Sequence, residues 1–256
     1  MKTITRCLLL SVLVLAGAAV APLRPRAAQE PPRKGHLLYL TLSAGFKHDT
    51  VAPSRDIVAE IGRNSGAFDV TVTEDVSVFT EDNLKKYDAV MFYTTGELPM
   101  DGQQKEAFLD FVRSGHGFVG VHSATDTFYM RPEYLQLIGG YFNDHPWHQK
   151  VTIDVTDPSN LIVSALAPSF QITDEIYQIA DFQYQDSHVL LRLDPNSVDL
   201  NAKGVHRRFY GWPLAWTRNF GEGRVFYTAL GHELAVWQDS RYQQMLLNGI
   251  KWTMKM

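Results

Sequence analysis

Gly117-Phe118-Val119-Gly120-Val121-His122-Ser123-Ala124-Thr125-Asp126 is the stretch on which the fold turns. Its first five residues are apolar or glycine, and such a short continuous run suits a strand covered on both faces. The run stops at His122-Ser123, where strand must give way to a polar turn. Upstream, Gln103 to Arg113 carries Ala107, Phe108, Phe111 and Val112 at helical spacing. Before that, Ala89-Val90-Met91-Phe92-Tyr93 is a second buried run, ending at Thr94-Thr95-Gly96. Phe68 to Thr73 alternates as a strand does. Pro53 to Asn64 reads as a helix with Ile57, Val58 and Ile61 on one face and its proline in the first turn. His36 to Leu42 is a further apolar run, closing in Ser43-Ala44-Gly45. Strand and helix therefore alternate, which is the pattern of an α/β protein with a mainly parallel sheet flanked by helices.

Downstream the pattern changes. Residues 151–155 (VTIDV), 175–179 (EIYQI), 188–193 (HVLLRL), 213–220 (PLAWTRNF) and 224–230 (RVFYTAL) read as strands, several of them antiparallel, with Phe220 to Arg224 as a hairpin turn. Arg241 to Met254 closes the chain as an amphipathic helix. An additional antiparallel section thus joins the parallel one.

Composition bounds the function. The 256 residues are 45% hydrophobic and 20% charged, as in a globular chain. A net charge of -4 provides no basic field for a phosphate backbone, so nucleic acid is not an expected partner. Lys2 and Arg6 precede an apolar run from Cys7 to Val20, followed by small residues: the layout of a secretory signal, with Ala16-Gly17-Ala18 as a cleavage site. That run is short for a bilayer span of ~20 residues. Residues 1–28 are accordingly expected to be a signal peptide and its adjoining segment, 29–35 a linker and 36–256 the folded domain. The expected location is periplasmic or extracellular, with no membrane attachment after cleavage. Cleavage after Ala18 removes Lys2 and Arg6 and no acid, taking -4 to -6, and leaves no cysteine. A thiolate nucleophile is then excluded.

Ligands of open α/β sheets bind beyond the carboxyl ends of the strands, and the chemistry-bearing residues gather there. The first strand leads to His48, the second to Gly96-Glu97, the third to His122-Ser123 and Asp126, the last to His232-Glu233. Singly, each has a plain reading: His48 as a helix cap, His232-Glu233 as a satisfied pair. His122 is sharper, because a strand-to-helix turn projects its apex residue into the crevice. Asp126 and Glu233 can orient neighbouring imidazoles. His145-x-x-His148 with nearby carboxylates can ligate a zinc-like divalent metal, as can His48, His122 and His232. Asp174 and Glu175 point to opposite faces of a strand, so one serves the site and the other is expected as a solvated charge. Trp147, Trp212, Trp216, Tyr134 and Tyr177 are candidates to stack on sugar faces. No Gly-x-Gly-x-x-Gly or Walker loop is present to cradle a nucleotide phosphate.

The motifs Gly45-Phe46-Lys47-His48, Thr73-Glu74-Asp75, Thr95-Gly96 and the stretch 117–126 resemble the ThuA-like, trehalose-utilisation family. So do Leu137-Ile138-Gly139-Gly140-Tyr141-Phe142-x-x-His145-Pro146, Asp174-Glu175-x-Tyr177, residues 223–232 and Asn248-Gly249-Ile250-x-Trp252. The resemblance implies a flavodoxin-like fold similar to the class I glutamine amidotransferases. In those enzymes the elbow carries a catalytic cysteine. Here His122 stands in its place and His232-Glu233 resembles the retained pair, so glutamine hydrolysis through a thioester is not open to this chain. The resemblance further implies carbohydrate metabolism on 3-keto-glycosides made by a partner oxidoreductase. In that reading His122 and His232 do acid/base or oxyanion work and Asp126 and Glu233 orient them. His48, Gly96, Ser123, Tyr134, His145, Glu175 and Tyr177 hold the sugar, or in part a metal. Two alternatives stand beside it: a non-catalytic saccharide-binding or scaffolding module, and a glycoside hydrolase using two carboxylates. Oligomerisation is left open.

Overall fold

Continuous apolar runs become central strands because only there are both faces covered. In the computed structural model, which describes residues 33–206 and 211–256, β1 (Gly35–Leu40) has Leu37 to Leu40 fully buried. Helix α1 (Val51–Ser65) buries Val51, Val58 and Ile61 and leads to β2 (Phe68–Thr73). A short α2 (Glu81–Leu84) precedes β3 (Ala89–Phe92). Helix α3 (Gly102–Arg113) starts at a capping box in which Asp101 accepts from the Gln104 backbone N–H and the Gln104 side chain accepts from that of Asp101. Then come β4 (Gly117–Val121) and α4 (Pro132–Ile138). The second half is β5 (Tyr141–Val155), β6 (Ser169–Ala180), β7 (Ser187–Leu193), β8 (Pro213–Phe220), β9 (Gly223–Thr228), α5 (Leu234–Gln238) and α6 (Ser240–Thr253).

The strands form one sheet in the order β2-β1-β3-β4-β9-β8-β7-β5-β6. From β2 to β9 the neighbours are parallel; from β9 to β6 they are antiparallel. The hairpin expected at 220–224 joins β8 to β9, with Phe220 opposite Gly223 and Gly221 at φ +60°. The chain winds outward from β1 to β2, then returns to place β3 on the other side of β1. That reversal opens a crevice at the carboxyl ends of β1 and β3.

Two sequence expectations are corrected here. The strand expected at 151–155 begins ten residues earlier, at Tyr141, and crosses Pro146 by register shifts between Phe142 and Trp147. A proline has no N–H for the ladder, so the strand bulges there, and bulges sharpen the local twist. Asp174 is not a solvated charge: it is fully buried. The segment 1–28 and most of the linker lie outside the described residues. Among the described residues no helix is long and apolar enough to cross a membrane.

Candidate functional site

His122 follows β4 at φ +46°, a left-handed conformation that costs a non-glycine residue ~1–3 kcal/mol. The turn is pinned by Tyr227, whose hydroxyl donates to the His122 carbonyl at 2.7 Å. The His122 ring is wholly buried, with Nδ1 2.7 Å from the Ala229 carbonyl. A carbonyl can only accept, so Nδ1 carries the proton and the Nε2 lone pair faces inward. It meets the Tyr177 hydroxyl at 2.9 Å and Glu175 Oε2 at 3.5 Å.

The same carboxylate gathers two further imidazoles. His232 Nδ1, beyond β9, stands 3.2 Å from Glu175 Oε2 but off the hydrogen-bonding direction. His145 Nδ1, on the bulged part of β5, stands 3.3 Å from Oε1. Burial alone would raise the Glu175 pKa, but His122 and His232 more than reverse this and hold it well below the usual carboxylate range. Glu175 in turn raises that of His232. His48, between β1 and α1, completes the group, its ring centroid 4.8 Å from that of His122 and 5.2 Å from that of His232. Its Nδ1 is buried without a hydrogen-bond partner, and burial together with His122 and His232 lowers its pKa to about 3. His48 is therefore neutral. A helix-cap role for it does not hold, since α1 has no side-chain cap.

Asp174 and Glu175 divide as the strand's alternation requires. Asp174, facing away from the cavity, accepts from the backbone N–H groups of Gly231 and Glu233 at 2.8 and 3.0 Å, fixing the loop that carries His232. Its role was legible in one signal: it shares a face with Ile172 and Ile176, both buried. Glu233 does not orient His232 or His122; it pairs with His148 Nε2 at 2.6 Å. His145 and His148 thus reach different carboxylates and do not act as one chelating pair. Asp126 accepts from the Tyr129 hydroxyl at 2.8 Å rather than from an imidazole, and burial, only partly offset by that bond, raises its pKa.

A cavity of about 210 Å³ opens over this group, lined by Phe46, His48, Asp126, Phe142, His145, Glu175, Tyr177 and His232. Phe46, 66% exposed, and Phe142 are apolar walls that spacing did not single out. Several expected sugar contacts fall elsewhere. Tyr134 is a core residue whose hydroxyl donates to the Ala124 carbonyl at 2.7 Å. Ser123 is buried with its Oγ unpartnered and does not line the cavity. Gly96 serves the backbone: at φ +76° its missing Cβ would stand 2.8 Å from the Gly45 nitrogen, so the loops after β1 and β3 meet only over a glycine. Trp147 and Trp216 are buried and donate to the carbonyls of Asp199 and Ile138, while Trp212 packs edge-on against Trp147. A larger cleft of about 830 Å³ between α2 and α3 holds exposed acids, Lys85 and His116, without a buried group to act on a ligand.

The fold has known counterparts. A ThuA-like protein from Bacteroides uniformis superposes with a TM-score of 0.73 at 24% identity, covering 90% of this chain and 95% of its own. Another from Parabacteroides merdae gives 0.71 at 21%, with 87% and 90% covered. A protein from Thermoplasma acidophilum, described as part of a GMP synthase, gives 0.53 at 8%, with 87% and 96% covered, in keeping with the expected amidotransferase-like layer. At these identities the likeness is one of fold. No curated protein matches the sequence. The sequence model of the ThuA family, described as trehalose utilisation, matches residues 36–253. With nearly all of the folded chain matched, and with its parallel-then-antiparallel sheet shared with ThuA-like proteins of known structure, the protein belongs to the ThuA family of carbohydrate utilisation.

Proposed function

We propose that this protein is an enzyme acting on 3-keto-glycosides by enolisation. The observation that carries the reading is the convergence of His48, His122 and His232 on Glu175 beneath a small cavity that also contains Asp126. A ketone at C3 acidifies the C2 proton. A base removes it, and the negative charge that appears on the C3 oxygen needs a fixed positive partner. Reprotonation elsewhere isomerises the sugar; expulsion of the C1 substituent cleaves the glycosidic bond. In this scheme Asp126 takes the C2 proton, its pKa raised by burial toward working pH. The imidazole–carboxylate group, with the Tyr177 hydroxyl, faces the ketone and its neighbouring hydroxyl. Phe46 and Phe142 flank the ring. A cavity smaller than the ~300–1,000 Å³ common for drug-sized ligands suits one sugar ring, with the leaving group outside.

A two-carboxylate hydrolase is less well supported, because Glu175 is already engaged by three imidazoles and is not free as nucleophile or acid. The substrate would come from an oxidoreductase that dehydrogenates C3 of the glycoside, and the N-terminal segment would take the chain to the periplasm or medium. The decisive experiment incubates purified protein with a 3-keto-glucoside in deuterated water and reads C2 by NMR. Deuterium at C2, with isomerised or cleaved product, is expected. Tight binding without exchange would replace this reading with a saccharide-binding module.

A further inference from the structure

We propose that His48, His122, His232 and Glu175 form a binding site for a first-row divalent transition metal at the floor of the cavity. One nitrogen or oxygen atom from each lies within 4.8 Å of the others. Ligand atoms around a tetrahedral zinc at ~2.0–2.1 Å stand about 3.4 Å from one another. Glu175 Oε2 is already 3.5 Å from His122 Nε2 and 3.2 Å from His232 Nδ1, and small side-chain rotations close the wider pairs.

The protein groups are prepared for such an ion. The His122 Nδ1–H···O=C bond to Ala229 fixes the tautomer that offers Nε2, which is the usual outer support of a metal-bound histidine. His145 on Glu175 Oε1 orients the carboxylate from the other side. His48 is 6% exposed, and its Nδ1 and that of His232 are buried with no aligned hydrogen-bond partner. Two orphaned imidazole nitrogens beside one carboxylate oxygen are hard to account for as packing, since buried polar atoms are as a rule paired. The three rings stand 74–85° to one another, as rings radiating from a common point do. Three imidazoles and one carboxylate favour zinc, cobalt, nickel or iron over magnesium and calcium, which take oxygen ligands. The neighbouring trio His148, His232 and Glu233 is a weaker candidate, because His148 and Glu233 already satisfy each other.

The site is the one read above as catalytic, but metal uptake is measured without sugar and does not depend on the keto-sugar chemistry. Full-length chain freed of its N-terminal segment during export, stripped with chelator, is titrated with zinc and with cobalt by calorimetry, metal content and the cobalt visible spectrum, with magnesium as control. One ion per chain is expected, with no magnesium uptake. His48→Gln and His122→Gln each weaken uptake by more than ~100-fold, beyond the ~10–100-fold typical of losing an outer partner, whereas His148→Ala leaves it unchanged. Circular dichroism shows whether each variant is folded. If one is not, X-ray absorption of the cobalt-loaded native protein reports its imidazole count directly, and a first shell without imidazoles overturns the proposal. So does absence of stoichiometric uptake, or uptake that survives both substitutions but is lost in His148→Ala. A loaded protein that exchanges no deuterium refutes the reaction and keeps the metal site. Exchange by protein that takes up no metal does the reverse.

Discussion

Two aspartates lie near the site, one in the cavity and one behind it, and their burial gives them different tasks. Asp174 is closed off from solvent and its two oxygens hold two backbone N–H groups. Asp174→Ala would leave both donors unpaired, at ~1–3 kcal/mol each, so a loss of about 2–5 kcal/mol is expected in denaturant unfolding. A loss under ~0.5 kcal/mol, the scale of an ordinary surface change, would show that the loop needs no such anchor. Asp126, by contrast, borders the cavity and its substitution touches chemistry. Asp126→Asn is expected to slow C2 exchange by ~10²–10⁴-fold with the melting temperature nearly kept. A base must be ionised to act, and burial makes Asp126 hold its proton to higher pH than an ordinary aspartate. The rate of the native enzyme should therefore fall, on the acid side, at a pH above the usual carboxylate range; a rate flat through that region would assign the base elsewhere.

Among the elements, those packed on both faces could be read in order from apolar runs, whereas the ribbon of β5 and β6 could not. Its first half carries Asn143, Asp144, His145 and Pro146, a composition that resembles a loop, and it is a strand only because β6 lies beside it. The partnership of Glu175 with His122, His145 and His232 depends on that ribbon reaching the end of β4, which no local pattern encodes. Hence the histidines at strand ends are legible in the sequence, whereas the carboxylate that unites them reads there as a contact to the sugar or a metal rather than to the imidazoles. The loop after β3 offers a test at this level. Gly96→Ala places a Cβ against the Gly45 backbone at positive φ, so a loss of ~1–3 kcal/mol is expected, together with poorer exchange, since Gly45 is three residues from His48. A variant with full stability would mean that the two loops part readily.

For the molecule as a whole, the N-terminal segment makes a prediction about processing. Expressed in a bacterium with an outer membrane, the protein is expected in the periplasmic fraction, beginning at Ala19 by N-terminal mass analysis; intact chain in the cytosol would refute export. The sheet order bears on how such a chain reaches its native state. β9, among the last elements in sequence, is the only described link between β4 and β8, and so between the parallel and antiparallel halves. Until it arrives, both neighbours present open ladder edges, which invite pairing with other chains. Delivery across a membrane from the N-terminus therefore leaves the first two hundred residues waiting for the closing strand. Stop codons shortly before Gly223 would yield an aggregating product, although eight of the nine described strands are already made.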